Sequence, residues 1–185
     1  MGAARINQLL DYFGDLAQAW HAQSGQLAQA GLTERSINDL ITGRQSIDLD
    51  DELQKLQRVD AHMLPMTDPA YPESLSELTD TPAVLFIRGS LSPVDKRALA
   101  IVGTRRATQY GRDVARDLAY QLAMQGVTIV SGLAQGIDTA AHEGALAAGG
   151  RTIAVLGNGI DNVYPRANRD LANRIAISGA VITEY

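Results

Sequence analysis

Apolar residues along this chain follow two different rhythms. Before residue 60 they recur at helical spacing; from residue 83 they gather into short unbroken runs. Ile6, Leu9, Leu10 and Phe13 predict a first short helix, which Gly14 interrupts. A second run goes from Leu16 to Ala30, with Trp20 as a core residue, and stops at Gly31. Thr33 caps a further helix whose apolar stripe is Ile37, Leu40 and Ile41. Phe13-Gly14-Asp15 and Ala30-Gly31-Leu32 read as hinges of helical hairpins, where glycine permits a sharp bend.

Prolines at 65, 69, 72 and 82 make residues 61–82 a linker or extended wrap, with Tyr71-Pro72 and Leu75 as its anchors. Beyond it, Ala83–Ile87, Ala98–Val102, Val127–Val130, Thr152–Leu156 and Ala180–Thr183 are short runs rich in β-branched residues. Helical segments Gln109–Met124, Thr139–Ala147 and Ala167–Ile177 separate the last four. Continuous apolar strands alternating with helices predict an α/β domain with a parallel sheet covered on both faces. Gly126, Gly149 and Gly179 stand where left-handed helix C-caps are expected. The expected organisation is a small all-α domain over 1–60, the linker over 61–82 and the sheet domain over 83–185.

Composition narrows the chemistry. The chain has 185 residues and no cysteine, which excludes disulfides, thiol catalysis and cysteine metal sites. No apolar run is long enough for a membrane helix, and Met1 to Leu10 lacks the pattern of a signal peptide. A soluble cytoplasmic protein is expected. The net charge of −5 hides a split: residues 1–80 carry 5 basic and 13 acidic side chains, and residues 81–185 carry 11 and 8. Asp48, Asp50, Asp51 and Glu52 would repel a phosphate backbone, so the first domain reads as an interaction or spacer module.

Three predicted strands end in glycine-bearing loops. Loop 1 is Gly103-Thr104-Arg105-Arg106 with Tyr110-Gly111 following, loop 2 runs from Ser131-Gly132 through Gly136 to Asp138, and loop 3 from Gly157-Asn158-Gly159 to Tyr164-Pro165-Arg166. In a parallel sheet such loops share the carboxyl edge, where backbone amides and helix N-termini favour an anion. The standard nucleotide signatures fail: Asn162 stands where GxGxxG needs its third glycine, and no GxxxxGK[ST] occurs.

Gly103-Thr104-Arg105, Tyr110-Gly111, the string Ser131-Gly132-Leu133-Ala134-x-Gly136-Ile137-Asp138-x-x-Ala141-His142 and Tyr164-Pro165 together resemble the DprA/Smf family of DNA-processing proteins. The resemblance extends over essentially the whole chain and implies a Rossmann-like sheet domain behind a small helical domain of the SAM or helix-hairpin-helix kind. It implies binding of single-stranded DNA, protection of incoming strands in natural transformation, loading of the RecA recombinase, a homodimer, and no enzymatic activity or cofactor. On this resemblance Arg105 pairs with a phosphate, the amides around Gly103 and Gly132 cradle it, and Arg166 is a second basic contact. Many relatives have a basic residue where this chain has Gln135. The family's sheet continues beyond the equivalent of Tyr185 with an FPxRN segment, so the domain is expected to be C-terminally shortened.

The DNA-contact set expected is therefore Gly103, Thr104, Arg105, Tyr110, Gly111, Ser131, Gly132, Gly136, Gly157, Asn158 and Arg166. Thr108 reads as a helix cap, Thr104 as a donor to phosphate or to the adjacent helix, and Tyr110 as a base-stacking or loop-packing ring. Asp138 and His142, four apart on one helix face beside Glu143, read as loop braces rather than acid–base or metal groups. Tyr164, Pro165 and Asn168 complete the braces. Two other readings are a nucleotide-binding protein akin to the LOG-type phosphoribohydrolases, whose PGGxGTxxE string is absent here, and a pure protein-interaction module.

Overall fold

The computed structural model describes residues 3–185; Met1 and Gly2, where the signal-peptide reading begins, lie outside the described residues. The chain divides into two compact units: the described residues up to Lys55 with Pro65–Val84, and Leu56–Leu64 with Leu85–Tyr185.

The first unit opens with helices α1 (Ala3–Phe13), α2 (Leu16–His21), α3 (Ser24–Gln29) and α4 (Glu34–Ser46), followed by α5 (Leu49–Arg58) at its boundary. Gly14 and Gly31 turn the chain at φ 73° and 87°, a region open to glycine. Leu9, Ala19, Leu27, Leu32 and Ile37 form the core, and the Thr33 hydroxyl accepts from the Ser36 amide to cap α4. The one helix expected over 16–30 is two, because the chain is extended at Ala22 and Gln23. Arg44 holds that break, donating to the carbonyls of Ala22 (2.8 Å) and Ala19 (3.1 Å) that end α2. Its guanidinium lies 5.9 Å from the centroid of Trp20, which is half-buried rather than part of the core. Further on, α6 (Glu73–Ser76) follows buried Tyr71, whose hydroxyl donates to the Pro82 carbonyl at 2.7 Å.

The second unit is a six-stranded sheet flanked by helices. Its strands are β1 (Ala61–Pro65), β2 (Val84–Gly89), β3 (Ala98–Ala100), β4 (Thr128–Ser131), β5 (Thr152–Val155) and β6 (Ala180–Thr183), in the order β1-β2-β6-β5-β4-β3. Residues 61–65 are thus an edge strand and not linker; Leu56, Val59 and Ala61 pack on the core around Ile175 and Val181. From β3 to β6 neighbours are parallel, joined by α7 (Gln109–Met124), α8 (Ile137–Ala147) and α9 (Arg169–Ser178). β2 runs antiparallel to β6, with Phe86 opposite Thr183.

Each successive strand adds to the same side of the last, so right-handed crossovers put α7, α8 and α9 on one face, not both. Ala115, Ala119 and Ala123 of α7 meet Ala140, Ala141 and Ala145 of α8 over Ile129. Their small side chains let the helices approach closely; a Cβ at Gly144 would strike the Arg116 carbonyl. Gly126 and Gly149 have φ 73° and 67°, as helix C-caps. Gly179 does not (φ −150°); it is glycine because a Cβ would strike the Thr152 carbonyl.

Arg151 locks the amino edge of the sheet. Its Nε and Nη2 donate to the two oxygens of Asp95 (both 2.8 Å), and further bonds reach the carbonyls of Ser90 and Ser178. Burial pushes the Asp95 carboxyl up, but bonds from Arg151, Thr128 and the Ser92 amide outweigh it and hold it below the usual carboxylate range. Nearby, Thr152 donates its hydroxyl to the Ile129 carbonyl and so accepts from His142 Nδ1 at 2.7 Å, which assigns the proton to that nitrogen. His142 is wholly buried, its Nε2 has no partner, and burial lowers its pKa to about 4 against a smaller opposing effect of the Ser131 backbone.

Among the described residues, no helix is long and apolar enough to cross a membrane and no group of three or more His, Asp or Glu is placed to hold a metal.

Candidate nucleic-acid interface

Because β3, β4 and β5 are adjacent and parallel, loops 1, 2 and 3 leave the carboxyl edge side by side. Loops 1 and 2 are fastened to each other. Asp138, at the start of α8 and 6% exposed, accepts from the amides of Gly132 (3.1 Å) and Ala134 (3.3 Å) through Oδ2 and from Gly103 (3.3 Å) through Oδ1. One carboxylate therefore fills the amide nest that the sequence reading reserves for a phosphate. The Gly103 and Gly132 amides face an internal anion, and their phosphate role is corrected on that ground.

The same glycines are demanded by packing. A Cβ on Gly103 would lie 2.8 Å from the Ile137 side chain, and one on Gly132 2.9 Å from Asp138 Oδ2. Gly136, at φ 95°, lies against the carbonyls of Thr104 and Arg105. Ser131 also leaves the contact set: it is buried, and its hydroxyl donates to the Ile101 carbonyl at 2.6 Å, tying β4 to the end of β3. The Gly111 amide is taken by Thr108 Oγ1 (3.1 Å), the N-cap of α7. Thr104 accepts from the Arg106 amide (3.2 Å), a local turn that leaves its hydroxyl hydrogen available.

Loop 3 is held from below and open above. Asn168 donates its buried amide to the Leu133 carbonyl (2.8 Å) and to Thr139 Oγ1 (2.9 Å), joining loop 3 to loop 2. Thr139, which in turn donates to the Ala134 carbonyl, went unread in the sequence, as its partners are defined only by the fold. Asn158 spends its amide within its own loop, on the Asn162 carbonyl, and so braces rather than recognises. Tyr164 precedes a cis peptide to Pro165 and is 66% exposed, which is no bracing position. His142 directs its Nδ1 to the Thr152 hydroxyl of β5.

This edge also presents exposed cations. Arg105, Arg106 and Arg166 stand exposed on loops 1 and 3, and none makes an ion pair among the described residues. Arg112 and Arg116, close in sequence, are instead committed to the Ala107 carbonyl and to Glu143. Tyr110, at the start of α7, is 79% exposed and is not packed under the loop. Gly157 has open space where its Cβ would be and no positive φ, so the fold itself does not require glycine there.

A parallel α/β sheet whose carboxyl-edge loops present unpaired arginines beside an exposed aromatic ring defines a protein suited to anionic, base-bearing ligands. Residues 62–185 match the family model of DNA recombination-mediator protein A, and the chain belongs to that family. It is 38% identical to Protein Smf of Escherichia coli over 98% of its length and 50% of the relative's, and 36% identical to Protein Smf of Synechocystis over its whole length and 48% of the relative's. The chain thus spans about half the length of these curated relatives. The X-ray structure of DNA processing protein A from Streptococcus pneumoniae matches with a TM-score of 0.77 at 35% identity, covering 98% of this chain and 62% of that one. DNA processing protein A from Helicobacter pylori, described for its single-stranded DNA binding mode, matches with a TM-score of 0.59 at 33% identity, covering 68% and 55%.

Proposed function

We propose that this chain binds single-stranded DNA along the carboxyl edge of its sheet, as part of a recombination mediator in the cytoplasm. The observation that carries the reading is the exposed, unpaired state of Arg105 and Arg166 on loops 1 and 3, with Tyr110 exposed beside loop 1. Arg105 and Arg166 pair with phosphates, Arg106 adds to the local positive potential, Tyr110 stacks a base, and the strand passes over Gly157. Asp138, Ser131, Asn158 and Asn168 set the loops without touching DNA. The chain works without a cofactor or a chemical step, and it acts within a homodimer that hands strands to the RecA recombinase.

Fluorescence anisotropy of a labelled single-stranded oligonucleotide tests this reading. Binding weakens steeply with salt, and Arg105→Ala loses about tenfold or more in affinity while the salt slope falls by about 0.7 for the one lost phosphate contact. Salt-independent binding, or an Arg105→Ala protein that binds as well as the parent, would sink it.

A further inference from the structure

A recess of about 260 Å³, whose lining includes neither Arg105 nor Arg166, lies between the end of β2, α9 and the middle of loop 3. Val59, Ile160 and Val163 give it apolar walls. Arg88 of β2 donates through Nη2 to Asn173 Oδ1 at 2.8 Å, which fixes the guanidinium against α9. Its Nε is buried without an acceptor. Arg169 of α9 also lines the recess, and neither arginine makes an ion pair among the described residues. Asp161, exposed on loop 3, completes the lining without pairing to either.

Two guanidinium groups without an ion pair in one recess offer N–H donors that an incoming oxyanion can engage. Apolar walls fit the faces of a flat ring. A carboxylate in the same lining repels a simple anion, yet accepts from a ring that carries N–H donors. These demands meet in one ligand class: a heteroaromatic base with adjacent donors, joined to a phosphate. The volume sits just below the roughly 300–1,000 Å³ of pockets for larger ligands, which suits one nucleotide. Guanine, with a ring N–H beside an amino group, can engage a carboxylate bidentately; thymine has one such donor.

We propose that this recess is a mononucleotide site with Arg88 and Arg169 on the phosphate, Asp161 on the donor edge of a guanine, and Val59, Ile160 and Val163 about the ring. It uses none of the residues assigned to the strand and does not depend on that reading, since a free nucleotide suffices. The same chemistry is met by a nucleotide within a strand, and comparing dGMP with a guanine-containing oligonucleotide separates the two sources.

The test follows the Arg88 Nε–H resonance of the full ¹⁵N-labelled chain during titration with dGMP, dTMP, deoxyguanosine and inorganic phosphate. dGMP shifts the resonance saturably, and the other three bind about tenfold more weakly or worse. Asp161→Asn, an exposed substitution that leaves the fold intact, brings dGMP down to the level of dTMP. Arg88→Gln abolishes dGMP binding while Arg105→Ala leaves it unchanged. A resonance unmoved by dGMP, or moved as readily by inorganic phosphate, overturns the assignment.

Discussion

The two edges of the sheet use arginine in opposite ways. At the amino edge Arg151 donates to both Asp95 oxygens and to the Ser90 and Ser178 carbonyls. At the carboxyl edge Arg105 and Arg166 stand exposed with no ion pair. The residue type is the same, and only the neighbours decide whether it staples strands or waits for an external anion. A basic residue near a strand end is therefore informative about ligands only when its acceptors have been accounted for.

The sharpest way to break this contrast is to remove Arg151. Arg151→Ala strands Asp95, whose side chain is 9% exposed, and should cost about 3 kcal/mol in urea unfolding. Single-stranded DNA affinity of the molecules that remain folded should hardly change. Arg105→Ala should do the reverse, with stability kept within about 0.5 kcal/mol. If both variants lose stability alike, the edges are not distinct.

Acid separates the edges next. His142 has a folded-state pKa of about 4, below its ordinary 6.5, so its contribution is intact above pH 6.5 and is lost as pH falls toward 4. The loss should be on the order of 3 kcal/mol at most. The Asp95 carboxyl is also held low, so its contribution goes later, as pH falls below the ordinary carboxylate range near 3.8. His142→Gln should flatten the first limb in chemical unfolding from pH 7 to 4; an unchanged limb would assign it elsewhere.

Asp138 offers a chemical version of the comparison. Asp138→Gly empties the nest between loops 1 and 2 and should destabilise the chain by about 2 kcal/mol. Added formate should restore part of the melting temperature in that variant and do nothing for the parent protein. Absence of rescue would mean that the carboxylate's charge is not what joins the loops. The smallest effect belongs to Gly157→Ala, which should leave stability within about 0.5 kcal/mol and weaken strand binding by only a few fold, about 1 kcal/mol. A destabilised Gly157→Ala protein would place that glycine with Gly136, as a packing residue.

Much of the architecture is legible because its causes are local. Thr108 and the apolar face that follows it define α7 as Gln109–Met124, and β6 spans Ala180–Thr183, both within the limits the periodicity predicts. Where causes are distant the reading goes astray. Nothing near Ala22 marks a helix break, because the carbonyls exposed there are satisfied by Arg44 from 22 residues away. β1 is masked by Pro65, one of the four prolines that mark residues 61–82 as a linker. Arg151 escapes notice since its partners lie 27 to 61 residues distant. At the site, the glycines mark three loops, expected to cradle an anion, that leave the carboxyl edge side by side. They do not say what approaches: for Gly103, Gly132 and Gly136 it is the protein itself, and Gly157 alone of the four opens onto free space.

The carboxylate of Asp138 has a consequence for the time course of binding. Loops 1 and 2 are already fastened before any ligand arrives, so capture of a strand requires no ordering of their backbones. Association should then proceed at an encounter-limited rate that salt slows through screening. The bound lifetime, by contrast, should be set by how few side chains must let go.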